Sequence, residues 1–362
     1  MPETEDNAMA DGDVVFEARR RSAVEVKTVN LALQGGGAHG AFTWGVLDRL
    51  LEDRRIGFEG VSATGAGSVN AAVLAHGLAL GGRDGARAAL ANFWRRISHS
   101  GLATTPQAFF ERGAPSPLEL SPAYVMFDLM TRMFSPYELN PLNADPLRAM
   151  LEAEVDFERL RREASAKVFL GATNVRTGRL RVFETHEITV DHVMASACQP
   201  LVSQAVEIDG EAYWDGGYAG SPALFPFFAQ CMSRDVILIR VSPEERRELP
   251  RSAREILSRM SEISFNAALG EELRALAAVS RRIDEGRARP DALRRILLHA
   301  IEADEIMAGL SAASRVNTDW EFLTGLRDLG RAQAGAWLAG GFDSLGQRAT
   351  LHYDTACLET SA

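Results

Sequence analysis

Twice between residues 29 and 80 the chain passes from a short apolar strand directly into glycines and then into a helical pattern. Val29–Leu33 leads into Gln34-Gly35-Gly36-Gly37-Ala38-His39-Gly40 and an amphipathic helix through Phe42, Val46, Leu47 and Leu50, ending near Asp53. Val61–Thr64 leads into Gly65-Ala66-Gly67 and a helix over Val69–Leu80, and a further helix over Arg83–Ser98 gathers Leu90, Phe93, Trp94 and Ile97 on one face. Two buried strands joined by a helix form a parallel pair, so the chain is constrained to an α/β class with helices on both faces of a sheet.

Downstream, the pattern predicts strands over Val168–Asn174 and Leu180–Phe183 joined by a turn at Thr177-Gly178, and a short helix near Val190–Ala197. A strand over Ala212–Asp215 follows, and Val236–Val241 reads as the last strand. Beyond Pro243 the sequence is charged and helical, with helices expected over Ser252–Glu285, Asp291–Ala308 and Asp319–Leu338. The stretch 101–144 has a different character. Prolines alternate with Phe109, Phe110, Tyr124, Met126, Phe127, Met130, Met133 and Phe134, which suits either a packed insertion or an adaptable apolar lid. The expected organisation is a disordered leader over 1–26, an α/β domain over 27–230 carrying that insertion, a last strand with a helical extension over 231–345, and a tail over 346–362.

Composition removes several classes of function. Of 362 residues 46% are hydrophobic, enough for a large core, and a net charge of −10 with no basic stripe excludes a nucleic-acid partner. Three cysteines, Cys198, Cys231 and Cys357, stand far apart without a CxxC pair, so neither a disulfide framework nor a zinc site is expected and a reducing cytoplasm fits. The histidines show no ligand spacing, and no metal or cofactor is implied. The window Gly60–Gly82 lacks Asp, Glu, Lys and Arg and is long enough to cross a bilayer, but its glycines divide it into strand, turn and helix, so it reads as a buried core element. The sequence carries no motif that fixes an oligomeric state.

Gly35, Gly37 and Gly40 satisfy G-x-G-x-x-G between a strand and a helix. Such a loop can seat a pyrophosphate on the helix N-terminus, present backbone N–H groups to an oxyanion, or simply turn the chain. The nucleotide reading wants an acidic residue at the end of the second strand to hold a ribose, but that strand ends at Thr64-Gly65 and Glu59 sits at its start. Ala63-Thr64-Gly65-Ala66-Gly67 stands where a nucleophile elbow would read G-x-S-x-G, with small residues in place for close packing and a following helix dipole. Only the serine is missing. Asp215, at a strand end before Gly216-Gly217, is the candidate carboxylate that would take a proton from such a serine without a histidine. Ser68, one helical turn on, lies too far from the elbow for attack geometry, and Ser62 and Thr64 are expected to pack or satisfy backbone groups. His39 is expected to form a hydrogen bond or a cap rather than act as a base.

Four motifs in this order, QGGGAHGAF (34–42), ATGAGSVNA (63–71), ASACQPL (195–201) and DGG (215–217), resemble the patatin-like phospholipase family over roughly Val29–Phe228. The resemblance implies a three-layer α/β/α sandwich with a mostly parallel central sheet, a Ser–Asp dyad, and hydrolysis of lipid acyl esters, with contact to a membrane surface compatible with that substrate. Carried over, Gly35, Gly36, Gly37, Ala38, His39 and Gly40 would form the oxyanion loop and Asp215 the general base. Position 65 would be the nucleophile, and it is a glycine. Two functions therefore follow: an acyl hydrolase whose turnover is compromised at that position, or a non-catalytic lipid-binding or regulatory protein on the same fold.

Overall fold

A computed structural model describes residues 26–100, 122–246, 248–251, 253–287 and 295–351. The expected leader, the first part of the insertion at 101–121, and most of the tail lie outside the described residues. An eight-stranded sheet forms the middle layer. Its strands are β1 (Lys27–Leu33), β2 (Ile56–Ala63), β3 (Lys167–Asn174), β4 (Leu180–Glu184), β5 (Val206–Ile208), β6 (Glu211–Asp215), β7 (Asp235–Ile239) and β8 (Leu297–Ile301). The order is β5-β6-β3-β2-β1-β7-β8, with β4 also paired to β3. The β3–β2–β1–β7–β8 run is parallel throughout, whereas β4 and β6 are antiparallel to β3.

Alternation along the central strands creates the two outer layers. Leu31, Leu33, Val168, Leu170, Ile237 and Ile239 face one core, while Ala32, Phe169, Val236 and Leu238 face the other. The first core is covered by α1 (Gly40–Glu52), α2 (Ala66–His99) and, later in the chain, Trp320–Gly341. The second is covered by Phe225–Gln230 and by Ala253–Asp284 through Leu269, Leu273 and Leu276. The α/β/α sandwich and its mostly parallel sheet are as the sequence implies. The expected pair of helices after the second strand is also present: α2 leaves helical geometry at Gly81 and Gly82, the second of which has φ +60°, and its two arms pack back on each other.

The connecting elements are α3 (Pro122–Met133), α4 (Pro136–Leu139), α5 (Pro146–Glu154), α6 (Phe157–Glu163), α7 (Val190–Ser196) and α8 (Phe225–Gln230). Past β7 come α9 (Ala253–Asp284), β8, α10 (Asp304–Ala308) and α11 (Trp320–Gly341). Two expectations are corrected here. Val236–Val241 is not the last strand, and the helix expected over Asp291–Ala308 is found only at Asp304–Ala308 among the described residues: Leu297–Ile301 instead adds to the sheet beside β7, in register from Asp235↔Leu297 to Ile239↔Ile301. Leu297 and Leu298 are buried and His299 is enclosed between Asp235 and Thr350, so this run is a core strand rather than one face of an exposed helix. The segment after residue 230 supplies β7 and β8 to the same sheet. The short strand β5 was also not anticipated.

Candidate active site

The two glycine turns meet at the carboxyl ends of β1 and β2, the edge at which ligands sit in open α/β sheets. Gln34, fully buried, anchors the first. Its backbone N–H donates to the Ile239 carbonyl (3.2 Å), its Oε1 accepts from the N–H groups of Val241 and Ser242 (3.1 and 3.0 Å), and its Nε2 donates to Asn266 Oδ1 on α9 (2.9 Å). The loop then runs through Gly35 and Gly36 into a 3-10 turn over Gly37–His39. Gly37 has φ +60° and leaves no room for a side chain, since a Cβ would lie 2.3 Å from the Arg315 carbonyl oxygen. Among the described residues, the N–H groups of Gly35, Gly36, Gly37 and Ala38 donate to no protein acceptor. Unpaired backbone N–H groups are the kind of donor that can stabilise a developing oxyanion.

The second turn is Ala63–Gly67. Gly65 has φ +58° and ψ −135°, a conformation that is strained for any residue with a Cβ and is the kind of backbone a nucleophile elbow imposes. Helix α2 starts at Ala66, and Gly67 packs against the end of β1 so closely that a Cβ there would fall 2.4 Å from the Leu33 carbonyl oxygen. Asn70 Nδ2 donates to the Gly40 carbonyl (3.0 Å) and its Oδ1 accepts from Trp94 Nε1 (3.0 Å), tying the two loop-to-helix transitions together.

Asp215 reaches the elbow through sheet geometry. Strand β3 pairs with β2 over Lys167–Leu170 along one edge, and with β4 over Phe169–Thr173 along the other. Where β2 ends, β6 takes over the vacated edge in the opposite direction, placing Asp215 opposite Ala172. The end of β6 thus abuts the end of β2. A Cβ built on Gly65 would lie 3.2 Å from Asp215 Oδ2 and 3.6 Å from Oδ1.

The segment at residues 195–201 clamps both halves. The Ser196 carbonyl accepts from the Gly65 N–H (3.0 Å), and the Cys198 carbonyl accepts from the Asp215 N–H (2.8 Å). Gln199 Nε2 donates to Asp215 Oδ2 at 3.0 Å, while the Gly217 N–H donates to Oδ1 at 2.8 Å. Gln199 is a site residue that sequence reasoning did not single out. Its only signal was membership of a recurrent motif, because no spacing rule links it to a carboxylate sixteen residues away. Burial pushes the Asp215 carboxyl up to about 7, against the pull of these two donors.

The remaining candidates divide clearly. His39 is buried and shares a 2.7 Å hydrogen bond with Ser314 Oγ; burial, with Arg315 and Arg246 nearby, holds its pKa down to about 3, so it stays neutral. Ser68 Oγ donates to the Gly65 carbonyl at 2.6 Å and Ser62 Oγ to the Ala223 carbonyl at 2.5 Å, so both hydroxyls serve the backbone. Thr64 is buried with its hydroxyl unpartnered among the described residues. Cys198 borders the site, but burial, then Asp215, push its thiol up to about 12, which leaves no thiolate to replace a serine. Glu59 accepts from the N–H groups of Met232 and Ser233 at 2.7 Å each, far from any ribose role. No group of three His, Cys, Asp or Glu side chains among the described residues is arranged to hold a metal ion.

A cavity of about 740 Å³ opens beside this arrangement. Gly37, Ala38, Ala66 and Asp215 line its floor side, and Phe93, Trp94, Met194, Tyr124 and Phe127 give it an apolar wall.

The site is thus two glycine turns and a buried carboxylate brought together at strand ends of a mostly parallel sheet. The family model for patatin-like phospholipase matches residues 31–227, more than half of the chain, and the chain belongs to that family. No curated protein sequence matches it. Among solved structures it is similar to VipD from Legionella pneumophila, at 13% identity and a TM-score of 0.38, covering 86% of this chain and 67% of VipD. It is also similar to the heterodimeric ExoU–SpcU complex from the type III secretion system of Pseudomonas aeruginosa, at 13% identity and a TM-score of 0.30, covering 87% of this chain and 52% of that one. The chain thus spans about two thirds of the first and about half of the second.

Proposed function

We propose that this protein binds lipid acyl esters in the cavity beside Gly65 and Asp215, on the framework of a Ser–Asp hydrolase, and that turnover in the chain as written is negligible. The observation that carries the reading is the position of residue 65. Its missing Cβ would point at Asp215 Oδ2 from 3.2 Å, so a serine hydroxyl there would meet the base directly. In that dyad Asp215 would accept the hydroxyl proton as oxygen attacks the ester carbonyl, and the free N–H groups of Gly35–Ala38 would hold the oxyanion. Glycine supplies no attacking atom; the Ser62 and Ser68 hydroxyls serve backbone carbonyls, the Cys198 thiol stays protonated, and the unpartnered Thr64 hydroxyl is fully buried on a residue that does not line the cavity. Loss of such a nucleophile removes several orders of magnitude in rate, leaving only what binding and the oxyanion loop contribute.

The apolar surface near the cavity supports contact with a lipid surface. Met126, Leu129, Met133, Tyr137 and Leu142 are exposed on the segment that also supplies Tyr124 and Phe127 to the cavity wall. No helix among the described residues is long and apolar enough to cross a membrane. The direct test is hydrolysis of p-nitrophenyl butyrate and a longer acyl homologue by the unmodified chain. Rates at the level of an Asp215→Asn control support the reading, whereas robust turnover that this substitution abolishes contradicts it.

A further inference from the structure

The glycine loop does not stand alone: its outer side is packed by a buried ion cluster that the dyad does not use. Glu262 on α9 is fully buried and takes three arginines. Arg246 binds it through Nε and Nη2 at 2.8 and 2.7 Å, Arg259 through Nη1 at 3.3 Å, and Arg315 through Nη2 at 2.9 Å. Three cations on one carboxylate leave the cluster with an excess of positive charge. Arg246 and Arg259 spend further donors on the carbonyls of Ala308 and Glu244. Arg315 does not. Among the described residues its Nε and Nη1 have no hydrogen-bond partner, and its side chain keeps 21% of its surface.

Arg315 also lines the cavity, together with Gly37 and Asp215. The backbone of Arg315 sits against Gly37 itself, 2.3 Å from where a Cβ would be. Other charged groups on the lining have partners of their own. Arg148 is paired with Asp191 at 2.6 Å, and Asp145 accepts from the Leu147 N–H at 2.9 Å. An arginine on a pocket lining, held at one nitrogen by a buried carboxylate and with its other donors unpartnered among the described residues, is suited to a phosphate-type anion.

We propose that Arg315, fixed by Glu262, is the anion-recognition residue of the cavity and sets its preference for an acyl ester that carries a phosphate group over a neutral one. This rests on the reading of the cavity as an acyl-ester site. Arg315 acts here by binding, not by chemistry, so its effect is independent of Gly65.

The test is calorimetric titration of the full chain with dihexanoylphosphatidylglycerol, dihexanoylglycerol and inorganic phosphate, each lipid below its micellar concentration. The unmodified chain is expected to bind the phospholipid roughly ten- to a hundred-fold more tightly than the neutral diester. Arg315→Gln should erase that difference by weakening phospholipid binding, and Arg315→Lys should retain part of it. Equal affinity of the unmodified chain for the two lipids overturns the role of Arg315 and leaves the acyl cavity standing, whether or not the glutamine variant folds. Binding of neither lipid, with Arg315-dependent binding of inorganic phosphate, supports the anion site as one for free phosphate and overturns the acyl reading. Binding of none of the three overturns both.

Discussion

At position 65 two physical demands coincide. The backbone there is at positive φ, which costs a residue with a Cβ about 1–3 kcal/mol, and a Cβ would approach Gly35 Cα to 2.9 Å, so the glycine loop would have to yield by a few tenths of an ångström. Gly65→Ala is therefore expected to lower unfolding stability by about 1–3 kcal/mol in urea titrations. No measurable loss would show that the elbow is not strained. Asp215 makes a complementary prediction. Its carboxyl is raised to about 7 in the folded state, so the folded protein holds a proton that the unfolded chain releases near the ordinary carboxylate range. Stability on this account falls as pH rises through that window and stays lower above it. Asp215→Asn removes the titration, and the melting temperature of the variant relative to the parent should climb from pH 4 to pH 8. A gap that is constant with pH would contradict the burial argument. The sequence disclosed the glycine loop, the elbow and Asp215, because each is written as a local turn motif. It did not disclose the Gln199–Asp215 or Arg315–Glu262 contacts, which depend on which strand ends and helices the fold brings together.

At the scale of elements, the sheet was legible where hydrophobic runs were bounded by glycine, as in β1, β2 and β6. It was illegible in β8, whose Leu297–Ile301 lies between arginine-rich and acidic segments and shares its apolar residues equally well with a helix. Only the vacant edge of β7 decides the matter. The same limit applied to helix packing. Helices α1 and α11 approach until a Cβ on Gly45 would lie 1.9 Å from the Arg327 carbonyl oxygen, and one on Gly330 would lie 2.1 Å from that of Phe42. Nothing in either helix alone announces this contact, yet it fixes the C-terminal helix on the layer behind the site. Gly330→Ala is expected to cost about 1–3 kcal/mol of stability through overpacking, although alanine is the better helix former. A neutral or stabilising effect would show that the two helices are not in backbone contact.

For the whole molecule, the family region at 31–227 ends before β7, but the fold does not. Strands β7 and β8, the arginine cluster around Glu262 and the 3-10 turn at Ala312–Val316 extend the sheet, pack the glycine loop and line the cavity. Truncation after residue 230 should therefore abolish cooperative folding rather than release an active core, which circular dichroism melting would reveal. The apolar surface on α3 and the loop after α4 belongs to the same scale. Replacing Met133 and Leu142, both exposed, with glutamate should weaken binding of the full chain to phospholipid vesicles in a flotation assay without moving its melting temperature. Unchanged binding would place the lipid contact elsewhere.

The central claim, that this is a complete acyl-hydrolase site lacking one hydroxyl, is tested most directly by Gly65→Ser treated with a fluorophosphonate probe. Peptide mass spectrometry should then place the label on residue 65, with no label in the unmodified chain, in Gly65→Ala or, above background, in Gly65→Ser combined with Asp215→Asn. A folded Gly65→Ser protein that takes no label would contradict the claim.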